Sequence, residues 1–163
     1  MDISYTFIKH WKGLGDEQSH DPINQFFYYF VAFNCLYENV FTGTCLNRGR
    51  ASDLEKISVF RQSEIYEQCK NNGFKPCEDL TKIPNLAKGV ERKKEDVALN
   101  SDRKIFIGDT IERQEANLLK NIYQVRCNLF HGQKEILNEE GRNFALVKES
   151  ADVLRDLLTA FLK

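Results

Sequence analysis

A chain of 163 residues, 42% of them hydrophobic, can bury one core and is too short for two ordinary domains, so a single domain over 1–163 is expected. Lys+Arg number 23 against Asp+Glu 24, which excludes a global field drawing the molecule onto nucleic acid and requires any anion site to be local. No basic segment leads into a long apolar one at the start, and the longest apolar run, 26–33, is far below the roughly 20 residues that span a bilayer; a cytoplasmic protein without a membrane partner is expected.

In chain order, a short helix is expected over 4–11. Asp21-Pro22, a capping residue followed by proline at the first helical position, opens a helix over 23–41. Its segment Phe26, Phe27, Tyr28, Tyr29, Phe30, Val31, Ala32, Phe33 leaves almost no polar face, so it is expected to be the central helix, covered on most sides. Gly43 and Gly49 mark a connection. Ser52 and Glu55 then have the spacing of a capping box, opening a helix that carries Leu54, Ile57, Phe60, Ile65 and Cys69 and stops at Asn71-Asn72-Gly73.

From 74 to 108 the period weakens, broken by Pro76, Pro84, Gly89 and the mixed-charge run 91–96, and an irregular insertion lying over the bundle is predicted. Asp109 and Glu112 repeat the capping-box spacing. They open the clearest helix, with Ile111, Leu118, Ile122, Val125 and Leu129 in one stripe up to Gly132. After a turn near 138–143, Val147, Ala151, Leu154, Leu158 and Phe161 predict an amphipathic closing helix. No run alternates long enough to argue for a sheet. The expected architecture is all-α, a bundle of four main helices plus short accessory helices.

Cys35, Cys45, Cys69, Cys77 and Cys127 are odd in number and lack the paired close spacing of a zinc site. They are expected to be reduced thiols packed as small apolar residues, with no disulfide, no metal and no cofactor. Trp11 is expected to pack, and His10 and His20 have no partner at an informative spacing.

The chemistry concentrates near the end of the helix that begins after Asp109. An arginine stays charged and forks onto phosphate, while a histidine exchanges protons near neutrality; Arg126 and His131 therefore point to phosphodiester chemistry, with both as candidate catalytic residues. On a regular helix at ~100° per residue, Arg126 falls about 40° from Ile122 and His131 on the opposite side. Either the helix loosens before Gly132 or the two meet through a second chain. The competing reading is a surface arginine and a histidine capping a helix end. Asn128, three residues before His131, and Asn34, a polar group in an apolar segment, are supporting candidates; an ordinary hydrogen bond from Asn34 to backbone or Tyr37 competes with that role. Lys120, Lys134 and Arg142 are candidates for an RNA-binding rim, and Arg92-Lys93-Lys94 or Arg103-Lys104 for guiding a strand.

The string Val125-Arg126-Cys127-Asn128-Leu129-Phe130-His131-Gly132 resembles the Arg-x(4 to 6)-His motif of the HEPN superfamily, all-helical domains named as higher eukaryote and prokaryote nucleotide-binding. Phe33-Asn34-Cys35-Leu36-Tyr37, about ninety residues earlier, resembles the helix of such domains in which a polar residue faces the motif. The resemblance covers most of the expected core but not 74–108. It implies a metal-independent endoribonuclease of toxin-antitoxin, defence or RNA-processing type, whose two motifs meet across a homodimer. The partners it implies are RNA or a nucleotide, with an antitoxin or other regulatory protein in addition. One position departs from the pattern: members that cleave RNA often carry asparagine, aspartate or histidine immediately after the arginine, and here Cys127, a poor hydrogen-bond donor, stands there. A non-catalytic module of the same type, binding nucleotide, RNA or a partner protein, is the alternative expectation.

Overall fold

The computed structural model describes residues 3–45, 49–76, 111–130 and 142–163, with side chains described for 4–45, 49–76, 118–129 and 144–163. Among the described residues the chain is all helical, without a strand: α1 (Ile3–Asp16), α2 (Pro22–Thr44), α3 (Asp53–Arg61), α4 (Glu64–Asn71), α5 (Ile111–Phe130) and α6 (Arg142–Phe161). None of these helices is long and apolar enough to cross a membrane. The fold separates into two compact units, Met1–Phe74 with Ala151–Lys163, and Lys75–Ser150.

In the first unit, α1 is longer than the short helix predicted over 4–11 and runs on through Gly13 and Gly15. Gly15 sits inside the helix because α2 comes close there. A Cβ at this position would lie 2.5 Å from Cε1 of Tyr29, so any larger residue would push the two helices apart. The end of α1 is tied down by α2: Gln25 donates its amide to the Gly15 carbonyl at 3.2 Å, and the Tyr29 hydroxyl donates to the Asp16 carboxylate at 2.7 Å. Asp16 also receives Lys12 at 2.7 Å.

The start of α2 follows from Asp21-Pro22. The Asp21 carboxylate accepts from the amides of Ile23 and Asn24, two donors that the first turn leaves without helical partners, and proline occupies a position that needs no donor. Phe26, Tyr29, Phe30, Ala32, Phe33, Leu36, Tyr37, Val40 and Phe41 are all buried, which makes α2 the central helix of this unit as predicted. Its rings continue into the next two helices. Phe33 meets Tyr37 at 5.0 Å and Phe60 at 6.0 Å, Phe60 meets Tyr66 at 5.6 Å, and Tyr66 meets Phe74 at 6.0 Å, all edge-on. Edge-to-face pairs add to the burial of large apolar rings, and this series holds α2, α3 and α4 together.

The capping box at Ser52 and Glu55 is present and opens α3. The single helix predicted from there to Cys69 is instead two, α3 and α4, broken at Gln62-Ser63. A continuous helix would turn Phe60 and Tyr66, six residues apart, about 120° away from each other. The break lets both enter the core. Ser63 stabilises it from both sides, donating its hydroxyl to the Phe60 carbonyl at 2.6 Å and accepting from the Tyr66 amide at 3.2 Å as the cap of α4. At the other end, Gly73 takes φ +106°, and the amides of Gly73 and Phe74 return to the carbonyls of Lys70 and Cys69, the paired hydrogen bonds of a glycine-terminated helix. Of the irregular segment predicted over 74–108, residues 74–76 are described, with Phe74 and Pro76 buried; the remainder and the predicted cap at Asp109 lie outside the described residues.

Residues of α6 from Ala151 onward belong to this same unit, and Ala151, Leu154, Leu157 and Leu158 are fully buried. Two polar contacts fix the helix end: Asn72 donates to the Ala160 carbonyl at 2.9 Å, and Tyr5 donates to the Leu162 carbonyl at 3.1 Å. Of the predicted stripe, Val147, Ala151, Leu154 and Leu158 are buried and Phe161 is half-buried, and the buried arc is wider than predicted, since Val153, Leu157 and Ala160 are buried as well.

The second unit contains α5 and the part of α6 over 142–150. Leu118, Ile122 and Val125 of the predicted α5 stripe are buried together with Leu119, and Leu146 and Val147 are buried on α6.

Candidate functional site

The site helix is α5, and its buried residues define which way each candidate faces. With Ile122 as the centre, ~100° per residue places Leu118, Val125, Leu129 and Leu119 within about 60° of it. Arg126, at about 40°, lies between Ile122 and Leu119 on this inward arc. It is half-buried, and its Nε is closed off from solvent. This is not the environment of a surface arginine. A guanidinium stays charged wherever it is placed.

The neighbours of Arg126 divide by face. Cys127, immediately after it, falls about 140° from Ile122 and is a half-buried free thiol. Asn128 falls on the other flank, where its side-chain carbonyl accepts from Gln124 at 2.8 Å, one turn earlier. That contact fixes the carboxamide and leaves its NH2 group pointing elsewhere. Lys120 is half-buried and lies about 120° around the helix from Arg126, so α5 does not bring these two cations onto one face. His131 and Lys134 lie outside the described residues, as do Arg92, Lys93, Lys94, Arg103 and Lys104, and nothing is described of the Arg142 side chain.

Asn34 belongs to the first unit. It is half-buried on α2 and donates its amide to the Tyr37 hydroxyl, one of the two local partners expected for it. Trp11 packs between Phe7 and Tyr28, at 5.9 and 5.8 Å between ring centres, and so serves packing as expected.

Two polar residues of the second unit escaped the sequence analysis. Asn121 is only 6% exposed, and its side-chain oxygen accepts no hydrogen bond among the described residues. Glu149 on α6 is 9% exposed, next to Ser150, which is fully buried and donates its hydroxyl to the Leu146 carbonyl at 2.6 Å. These three are the buried polar or charged residues among those described, and all of them fall in the second unit. Asn121 directly precedes Ile122 and so falls about 100° from the centre of the stripe, where a polar residue reads as its margin. Glu149 lies outside the α6 stripe predicted from Val147 and Ala151, and its burial follows only from the wider buried arc.

Among the described residues no three His, Cys, Asp or Glu side chains gather as a metal site. Cys35 and Cys45 are half-buried thiols outside any disulfide, and burial pushes the Cys69 thiol up to about 11, which keeps it protonated and unreactive near neutrality. Comparison with known proteins returns no match: no family model, no curated protein and no solved structure resembles the chain.

Proposed function

We propose that the protein is a metal-independent endoribonuclease of HEPN type, acting as a homodimer in which Arg126 and His131 form a composite site. The observation that carries the proposal is the placing of Arg126: a permanently charged side chain in the last turn but one of α5, on the inward arc of the helix, within a motif string that ends in His131-Gly132. The motif places this arginine at a phosphodiester, which a guanidinium contacts through its fork of N–H donors.

In the proposed mechanism one His131 accepts the proton of a ribose 2′-hydroxyl, and the new oxyanion attacks the adjacent phosphorus. The bond to the 5′-oxygen breaks, and the His131 of the second protomer donates a proton to that leaving oxygen. Arg126 stabilises the negative charge that builds on the phosphoryl oxygens during attack. Asn128, its carbonyl held by Gln124, is the group proposed to orient His131. Lys134 is the proposed contact to a flanking phosphate, and a regulatory protein such as an antitoxin would act by covering the site. A two-fold axis removes the difficulty that Arg126 and His131 face different ways on one regular helix.

Cys127 favours a second reading. The residue after the arginine is a thiol, a weak donor, and a module that binds RNA or nucleotide without cutting needs no stronger group there. Incubating the purified protein with total RNA in EDTA, beside Arg126→Ala and His131→Ala, separates the two. Cleavage by the wild type and by neither variant supports the nuclease. Intact RNA, with binding retained in a mobility-shift assay, supports the binding module.

A further inference from the structure

A groove of about 740 Å³ opens in the first unit, within the range of small-molecule sites at roughly 300–1,000 Å³. Its walls come from α1, the end of α2, the elbow between α3 and α4, and the end of α6. Ile8, Leu36, Val40, Val59 and Ile65 make them apolar, and the ring of Phe161, 6.2 Å from that of Tyr5, closes one side.

Most polar side chains of the lining are already committed, the exposed Gln62 amide at the elbow being an exception. The hydroxyls of Tyr5, Thr44 and Ser63 donate to the carbonyls of Leu162, Val40 and Phe60, and the Asn39 amide donates to the Cys35 carbonyl. An occupant would gain few hydrogen bonds from them, so its body must be apolar. Charge selects further. The lining holds no lysine or arginine and one carboxylate, Glu64, which is exposed at the start of α4 and makes no ion pair among the described residues. Such a mouth disfavours carboxylates, phosphates and nucleic acid and favours a cation.

We propose that this groove binds a small apolar molecule carrying one protonated amine, its body on Leu36 and Val40 and its ammonium at Glu64. The site contains neither Arg126 nor Asn34 and stands independently of the nuclease proposal.

The test uses three probes with one ring system and three charges, 1-naphthylmethylamine, 1-naphthalenemethanol and 1-naphthoate, titrated calorimetrically into the full chain. The amine is expected to bind about two- to fivefold more tightly than the alcohol, the scale of an exposed ion pair, and the naphthoate more weakly than either. Gly43 lines the groove, and a Cβ there meets nothing within 4 Å, so Gly43→Trp has room to fill the space and should abolish binding. Glu64→Gln, a surface change that leaves the fold intact, should make amine and alcohol equal. Alkylation of Cys45, which lines the groove, should slow with the amine bound, while that of Cys35 should not. Absence of binding, equal binding of the three probes, or wild-type binding by a folded Gly43→Trp would overturn the proposal.

Discussion

The two units bury different chemistry. In the first, the buried side chains are apolar or aromatic, and the polar groups at helix ends are satisfied by local caps and by contacts such as Tyr29 with Asp16. In the second, with far fewer described residues, Asn121, Glu149 and Ser150 are buried and Arg126 turns its charge inward. Buried polar groups cost stability unless they are satisfied; Ser150 is satisfied by the Leu146 carbonyl, whereas the Asn121 oxygen accepts nothing among the described residues. The difference separates a region whose buried side chains are apolar or aromatic from one that also buries polar groups.

That contrast can be broken by substitution. Phe33→Ala, which removes a fully buried ring in contact with Tyr37 and Phe60, should cost about 3–5 kcal/mol in urea unfolding. A loss below about 1 kcal/mol would mean that the aromatic series does not hold the first unit together. Gly15→Val forces side-chain atoms into the Tyr29 ring and should cost about 1–3 kcal/mol, read from the same unfolding curves. Asn121→Leu should act in the opposite direction, raising stability by about 1 kcal/mol in the same unfolding curves because it removes a buried acceptor. A destabilised Asn121→Leu would place Asn121 with the structural residues and dissolve the contrast.

The smallest effect concerns pH. Burial of Tyr29 and its hydrogen bond to Asp16 raise the phenol well above its ordinary value. A folded-state pKa above the unfolded one, about 10, means the folded protein holds this proton more tightly. The contribution is therefore complete below about pH 10 and is lost as pH rises toward the raised folded value. Melting temperatures from pH 8 to 11.5 should fall more steeply for the wild type than for Tyr29→Phe, and parallel curves would contradict this.

Much of the first unit was legible in the sequence because its signals are local. Asp21-Pro22, Ser52 with Glu55, and Gly73 each act within one turn of helix, and the helix ends fall where they predict. The misses arise where a distant partner decides. Gly15 reads as a helix breaker until Tyr29 is packed against it, and Ser63 becomes a cap because Phe60 and Tyr66 both require the core. On the site helix, the angular position of Arg126 was legible from its spacing to Ile122. The burial of Asn121 was not, because one residue beside an apolar stripe reads as its polar margin.

Transesterification at a ribose 2′-hydroxyl by Arg126 and His131, as proposed, fixes the ends that cleaved RNA must carry. Mapping the ends of RNA incubated in EDTA is the sharpest test. The wild type is expected to leave 5′-hydroxyl ends paired with 2′,3′-cyclic phosphates, and Arg126→Ala and His131→Ala to leave neither. Fragments with 5′-phosphate ends, or the same fragments from either variant, would contradict it.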